Sequence, residues 1–150
     1  MDSLTVLTHR YRALGLRFFG LGPNLFPTNG IKQLQSLLQK NTTWANERSK
    51  KNLKTMIKNS SVVVSLWSGK KLVGFGRATT DGIYRAVLWD IVVDNDIQGT
   101  GLGKNILNAL LNHNDIKKVE KVYLMTTKKT DFYLHNGFGL VTNQSLLKLN

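Results

Sequence analysis

Between Asp90 and Gly103 the chain reads Asp-Ile-Val-Val-Asp-Asn-Asp-Ile-Gln-Gly-Thr-Gly-Leu-Gly. An apolar strand runs into a short polar turn, the turn into a glycine-rich loop, and the loop into a helix. Gly99, Gly101 and Gly103 stand at alternate positions where that helix must begin. Such a segment directs backbone N–H groups at an anion, with the helix dipole behind them. Gly99 and Gly101 also remove side chains that would keep a phosphate from the backbone. Two familiar phosphate loops fit poorly. A P-loop needs Ser or Thr after Gly-Lys, and here Gly103-Lys104 precedes Asn105. A dinucleotide fingerprint needs G-x-G-x-x-G in a first βα unit, and here the spacing is G-x-G-x-G.

Asp90 is the second group that could do chemistry. Strand alternation places Trp89, Ile91 and Val93 on one face, and Leu88, Asp90 and Val92 on the other. An acid amid apolar strand residues is rarely left unpaired. Burial makes a carboxylate a better proton acceptor, so Asp90 is a candidate base, acting directly or through water. The competing reading is an ion-pair partner for Arg77 or Arg85.

The neighbouring elements must position these groups. From Ser61 onward the period is that of strands. Residues 62–67, 71–79 and 86–93 are separated by Ser68-Gly69-Lys70 and Thr80-Asp81-Gly82, which predicts an antiparallel meander. Residues 102–112 form a helix with Leu102, Ile106, Ala109 and Leu110 on its apolar face. Residues 119–125 form another strand. Strand, helix and strand in succession imply a right-handed crossover and a parallel pair. The two parallel strands splay beyond their carboxyl ends, a favoured place for ligands. Edge groups of Ile91, Val92 and Val93 then lack a strand partner, and an extended amide-bearing ligand can replace it. Residues 130–136 form a short helix that Gly137 ends. Residues 138–141 and 146–149 read as a final hairpin.

Upstream, residues 1–14 show no period and read as loosely held, and residues 16–19 as a first strand. Residues 20–27 hold both prolines and form an irregular loop. Thr28-Asn29-Gly30 starts a helix with Ile31, Leu34, Leu37 and Leu38 on one face. Residues 47–58 form a second, with Leu53, Met56 and Ile57 inward. Its other face carries Lys50, Lys51, Lys54 and Lys58, read as solvated. The whole is one domain, residues 1–150, of α/β (α+β) class, with its core at about residues 61–141.

With 150 residues a real core is affordable. There are no cysteines, which excludes disulfides and a thiol nucleophile. The three histidines, His9, His113 and His135, show no ligand spacing, so no metal is expected. The net charge of +12 favours polyanionic partners, a phosphate-rich cofactor among them, or reflects only an A/T-rich genome. No apolar run approaches a membrane span. Arg10, Arg12 and Arg17 leave room for a transit-peptide remnant, but no secretory signal is present.

Gln98-Gly99-Thr100-Gly101-Leu102-Gly103 resembles the Q/R-x-x-G-x-G/A acyl-CoA loop of the GNAT superfamily of N-acetyltransferases. Phe132-Tyr133-Leu134-His135-Asn136-Gly137-Phe138 resembles its downstream F-Y-x-x-x-G-F element. The resemblance covers about residues 61–140. Residues 62–67, 74–79 and 88–90 look like the cyanobacterial and plastid branch, which includes the plant-type serotonin N-acetyltransferases. Residues 23–44 look like plastid-encoded members.

The resemblance implies a GNAT fold: a mixed, mostly antiparallel sheet with a parallel, splayed central strand pair and flanking helices. It implies acetyl-CoA as co-substrate and no metal. Amides of Gln98, Gly99, Thr100, Gly101, Leu102 and Gly103, with Lys104 beside them, would hold the CoA pyrophosphate. Ile91, Val92 and Val93 would pair with the pantetheine. Acetyl transfer to a primary amine would be direct, in keeping with the absence of cysteine. Tyr133 stands where family members place a general acid; its bland alternative is a half-buried core tyrosine. Many members carry Asn after the strand that follows the loop helix. Here the run is Thr126-Thr127-Lys128-Lys129, with Thr127 as substitute donor or the lysines facing CoA phosphates.

The acceptor is less specified. Trp67, Trp89, Tyr84 and Phe75 either line a pocket for an arylalkylamine such as serotonin or fill the core. A protein lysine is the alternative acceptor, and a non-catalytic CoA- or nucleic-acid-binding module the alternative class. Nucleic acid and membrane are not expected partners, and a homodimer stays open. The expected setting is the plastid stroma or a cyanobacterial cytoplasm.

Overall fold

The computed structural model describes residues 3–10, 22–23 and 27–150. It contains a five-stranded sheet in the order β1-β2-β3-β4-β5: β1 (Leu4–Arg10), β2 (Val62–Ser68), β3 (Lys71–Thr80), β4 (Arg85–Val93) and β5 (Lys121–Leu124). The first four strands pair antiparallel and β4 pairs parallel with β5. The meander and the crossover therefore stand as expected. The N-terminal segment does not. Residues 4–10 form β1, fully paired along β2, because Val62 to Ser68 would otherwise be a bare buried edge. The strand expected at residues 16–19 lies outside the described residues.

Helix α1 (Gly30–Asn41) starts after Asn29, which takes the left-handed φ of 52°. Helix α2 (Lys50–Asn59) starts later than the expected residue 47, because Ser49 caps it by accepting the Asn52 amide. Both lie on one face of the sheet. Ile31, Leu34, Leu37, Leu38, Leu53 and Ile57 pack there with Trp67, Phe75 and Val92. Helix α3 (Leu102–Leu111) covers the other face, where Leu102, Ile106, Leu107 and Leu110 meet Val64, Leu66, Leu88 and Val93. A short helix, α4 (Thr130–His135), borders that second layer through Phe132 and Tyr133.

One register break matters for function. Phe75 pairs with Val92 and Arg77 with Trp89, so β4 holds one more residue than β3 across that interval. The bulge sits at Asp90, whose φ is 56°. It reverses the side-chain alternation. Leu88 packs in the α3 layer but Val92 in the α1–α2 layer, so the expected common face of Leu88, Asp90 and Val92 is corrected.

The expected final hairpin is also corrected. Residues 138–150 contain no strand. Leu147 and Leu149 are 88% and 97% exposed, so they find no sheet face to bury against, and a lone hairpin is marginal in water.

Close approach of α3 to β3 depends on Gly74 and Gly76. A Cβ on Gly74 would lie 2.7 Å from Ile106 Cδ1, and one on Gly76 would lie 2.8 Å from Ile106 Cγ2. Gly74→Ala should destabilise the fold by about 1–3 kcal/mol, as overpacking does. Ile106→Val, which removes Cδ1, should recover part of that loss in the double variant. Additive losses in urea unfolding would contradict this packing.

Candidate functional site

The β4–β5 ladder runs from Arg85↔Lys121 to Leu88↔Leu124 and stops. Strand β4 continues to Val93, still paired with β3 through Val92 and Val93. Residues 89–93 therefore present one strand edge with no partner in β5. Of the three residues expected there, Ile91 packs toward the α3 layer, Val92 toward α1 and α2, and Val93 against Gly103. The edge faces the start of α3.

Asp90 occupies this open stretch. Its side chain is 5% exposed, and Oδ2 accepts from Arg77 Nε at 2.7 Å and Arg48 Nη1 at 2.8 Å. Arg85 instead pairs with Glu120 at 3.1 Å. A left-handed φ in a non-glycine residue costs free energy, and Asp tolerates it better than most. Two guanidiniums on one oxygen hold it there. Arg77 also lies 5.8 Å from the Trp89 ring centroid, and Arg48 lies 5.5 Å from that of Trp44.

Beyond Val93 the chain is pinned before it reaches the glycines. Asp94 is buried, with Lys40 Nζ at 2.9 Å and Lys71 Nζ at 3.1 Å. Lys40 also reaches Asp96 at 2.7 Å, and the Asn95 amide donates to Asn41 Oδ1 at 2.8 Å. Gln98 Nε2 turns back to the Val93 carbonyl and Asn95 Oδ1, and Thr100 Oγ1 to the Ile97 carbonyl. Those two side chains brace the loop, which leaves its backbone to face outward.

Gly99 and Gly101 have φ of 81° and 84°, and an added Cβ at either would meet nothing within 4 Å. Their glycines are required by backbone conformation, and the space above them is open. Gly101 is the N-cap of α3 and no side chain caps the helix. The first amides of α3 are thus free to receive an anion. Leu102 is buried beneath them and Lys104 is exposed at their side.

Gly103 has another purpose. A Cβ there would lie 3.3 Å from Phe132 Cζ. The third glycine of the loop thereby admits the aromatic motif of α4, and the two sequence motifs meet in space. Tyr133 stacks edge-on with Phe132 and Phe138, at centroid distances of 5.0 and 5.8 Å. Burial pushes its phenol pKa up. Its hydroxyl has no hydrogen-bond partner among the described residues. Gly137, with φ of 92°, ends the helix as expected.

Thr127 is exposed past the end of β5, whereas Thr126 Oγ1 is engaged by the Lys129 amide. Trp67 and Phe75 are core residues at 0% exposure, and Tyr84 is 61% exposed. Trp89 donates to Thr79 Oγ1 at 2.8 Å. The four aromatics do not converge on one pocket. Arg48, Lys40 and Asp94 were absent from the sequence reading. For Arg48 there was no signal, since its partner lies 42 residues away. For Asp94 the signal was the polar turn Asp94-Asn95-Asp96 between an apolar strand and the glycines. Among the described residues no three His, Cys, Asp or Glu side chains group as a metal site, and no helix is long and apolar enough to cross a membrane.

Residues 31–146 match the model of the acetyltransferase (GNAT) domain, and the chain belongs to this family. It is 37% identical over 97 residues to the uncharacterized N-acetyltransferase ycf52 of Pyropia yezoensis, covering 61% of this chain and 56% of that one. It is 32% identical over 120 residues to histone acetyltransferase TAP1 of Glycine max, covering 72% and 47%. A chloroplastic GCN5-related N-acetyltransferase 1 of Arabidopsis thaliana is 36% identical over 70 residues, covering 46% and 36%. The chain thus spans about half the length, or less, of these curated relatives. The GNAT family acetyltransferase SP0256 of Streptococcus pneumoniae TIGR4 superposes with a TM-score of 0.72 at 18% identity, over 99% of this chain and 98% of that one.

Burial alone would raise the Asp94 pKa, but hydrogen bonds from Lys40, the Asp96 amide and Lys71 outweigh it and hold it at about 2. The folded value lies below the ordinary 3.8, so the stabilisation is full above that value and is lost as pH falls toward about 2. Asp94→Asn should cost on the order of 1–2 kcal/mol at neutral pH, allowing for the partly exposed lysines. It should also flatten the acid-side loss of stability across that window. Parallel wild-type and variant curves in pH-dependent urea titrations would reject the ion-pair role.

Proposed function

We propose that this domain transfers an acetyl group from acetyl-CoA directly to a primary amine. One observation carries the reading: the edge of β4 that β5 leaves unpaired, residues 89–93, leads straight to the uncapped amino end of α3. Diphosphate fits that end, because Gly99 and Gly101 leave their amides uncovered and Lys104 stands exposed beside them. An extended pantetheine arm fits the β4 edge, where its amides would take the hydrogen bonds that β5 does not supply. Bound there, acetyl-CoA supplies an activated thioester.

Tyr133 is the proposed acid. Its helix is held against the loop by Phe132 on Gly103, and its phenol is desolvated and hydrogen-bonded to no described residue. It would protonate the departing thiolate as the amine nitrogen bonds to the carbonyl carbon. A raised pKa keeps Tyr133 protonated to higher pH, so the wild-type rate should fall only on the far alkaline side. Tyr133→Phe should lower kcat by about 100-fold and abolish that alkaline fall. An unchanged rate and profile would remove Tyr133 from the mechanism.

Asp90 is the proposed proton acceptor, through Oδ1, since both guanidiniums occupy Oδ2. Asp90→Asn should then lower kcat/KM by more than its loss of melting temperature accounts for. Arg48→Lys, which keeps the charge beside it, should keep most of the rate. If both variants only lower the melting temperature, Asp90 holds the bulge and water takes the proton. Thr127 is kept as a weaker candidate for a CoA contact.

The acceptor reading favoured here is an amine on a protein. The relative named as a histone acetyltransferase supports it, and Trp67 and Phe75, being core residues, do not furnish an arylalkylamine pocket. A plastid setting is inferred from the chloroplastic relative.

A further inference from the structure

We infer that the exposed face of α2 is a docking row for an acidic, extended segment of the acceptor protein. This rests on the transfer reading above and names its acceptor class. Lys50, Lys51, Lys54 and Lys58 are all exposed, and none forms an ion pair with a described residue. At 3.6 residues per turn they fall within an arc of roughly 100°, whose Lys50 edge lies about 20° from the buried Ile57 and about 60° from Leu53.

A solvated helix face ordinarily mixes signs, and this one does not. Lys50 and Lys54, and Lys54 and Lys58, are like charges one turn apart, which oppose the helix. The first turn has no acid and two lysines, which also opposes the helix dipole. An anionic partner along the row relieves both effects.

The row has a direction. It begins next to Arg48, whose guanidinium lies 2.8 Å from Asp90 at the bulge and packs on the 54%-exposed Trp44. Glu47 is the one acid at that end. Arg48 and Arg77 already neutralise Asp90, so the entrance as a whole is cationic. From Lys50 to Lys58 the row runs about 12 Å along the helix axis. Three to four extended residues span that distance. The acids of a matching acceptor therefore form a run of about three to four residues on one side of the acetylated amine. A nucleic acid would satisfy the charge but offers no alkyl amine to the β4 gap into which the row leads. Lysine-rich acceptors are disfavoured by the same charge, so the relative named as a histone acetyltransferase supports a protein acceptor in general and not a histone-like one.

Three peptides of equal length, each with one primary amine and with acidic, neutral or guanidinium-bearing residues at those positions, would test this. The acidic peptide should be acetylated with about tenfold higher kcat/KM than the neutral one at low salt. That advantage should shrink at high ionic strength, where screening is short-ranged. The triple variant Lys50→Glu, Lys54→Glu, Lys58→Glu, with folding verified by its melting curve, should reverse the order. Equal rates on all three peptides would overturn the docking row while leaving the transfer reading intact. Failure to acetylate any amine would instead reject the transfer reading. A flat peptide response, with a thymidine oligonucleotide bound by the wild type and lost by the triple variant, would assign the face to nucleic acid and also overturn the proposal.

Discussion

Everything at the candidate site depends on how one carboxylate is held. Asp90 sits in a backbone conformation that a strand residue does not normally adopt, and two guanidiniums from different elements converge on it. Arg77 comes from the neighbouring strand and Arg48 from the approach to α2. The extra residue at the bulge turns β4 away from regular pairing, and its ladder with β5 ends two residues earlier, at Leu88. Side chains beyond it are handed to the opposite layers. The same interaction opens the sheet and fastens a helix beside the opening. Isolated, such a buried ion cluster is weak evidence for stability. Here it shapes the edge.

Close contact does the remaining positioning. Gly74 and Gly76 let α3 sit down on β3, and Gly103 lets Phe132 sit down on α3. Helix α4 has six residues and is too short to persist by itself. Its orientation comes from Phe132 and from the aromatic pair that Tyr133 makes with Phe138. The loop glycines thus do two separate things. Two of them adopt conformations closed to other residues, and the third is small because a ring lies over it.

Much of this was legible in the chain. Period and turn residues located the meander, the crossover and the three longer helices, since each of those buries apolar side chains along one face. The short helix and its glycine stop were readable from Thr130 to Gly137. Strand β1 was not, because its apolar residues fall on both faces: Leu4 and Val6 are 49% and 39% exposed, whereas Leu7 packs against the core. The bulge was invisible for a different reason. A register slip is a property of two strands, and nothing in residues 88–92 alone announces it. The pairing of Asp90 with Arg77 was one of the expected alternatives; Arg48 and Lys40 were not, because they lie 42 and 54 residues from Asp90 and Asp94. The terminal hairpin was over-read: apolar residues at strand spacing were present, but no face awaited them.

The side chain of Asn41 donates to the Leu37 carbonyl within α1 and also accepts the Asn95 amide. Lys40, one residue earlier, bridges Asp94 and Asp96. The last turn of α1 and the run-in to the loop therefore share bonds, and neither can open while the other stays closed. They form a single unit of local unfolding. Whatever occupies the amino end of α3 stabilises that unit by mass action, so its protection reaches a helix on the opposite face of the sheet. Slowed amide exchange in α1 would then report occupancy of a site that α1 does not itself line.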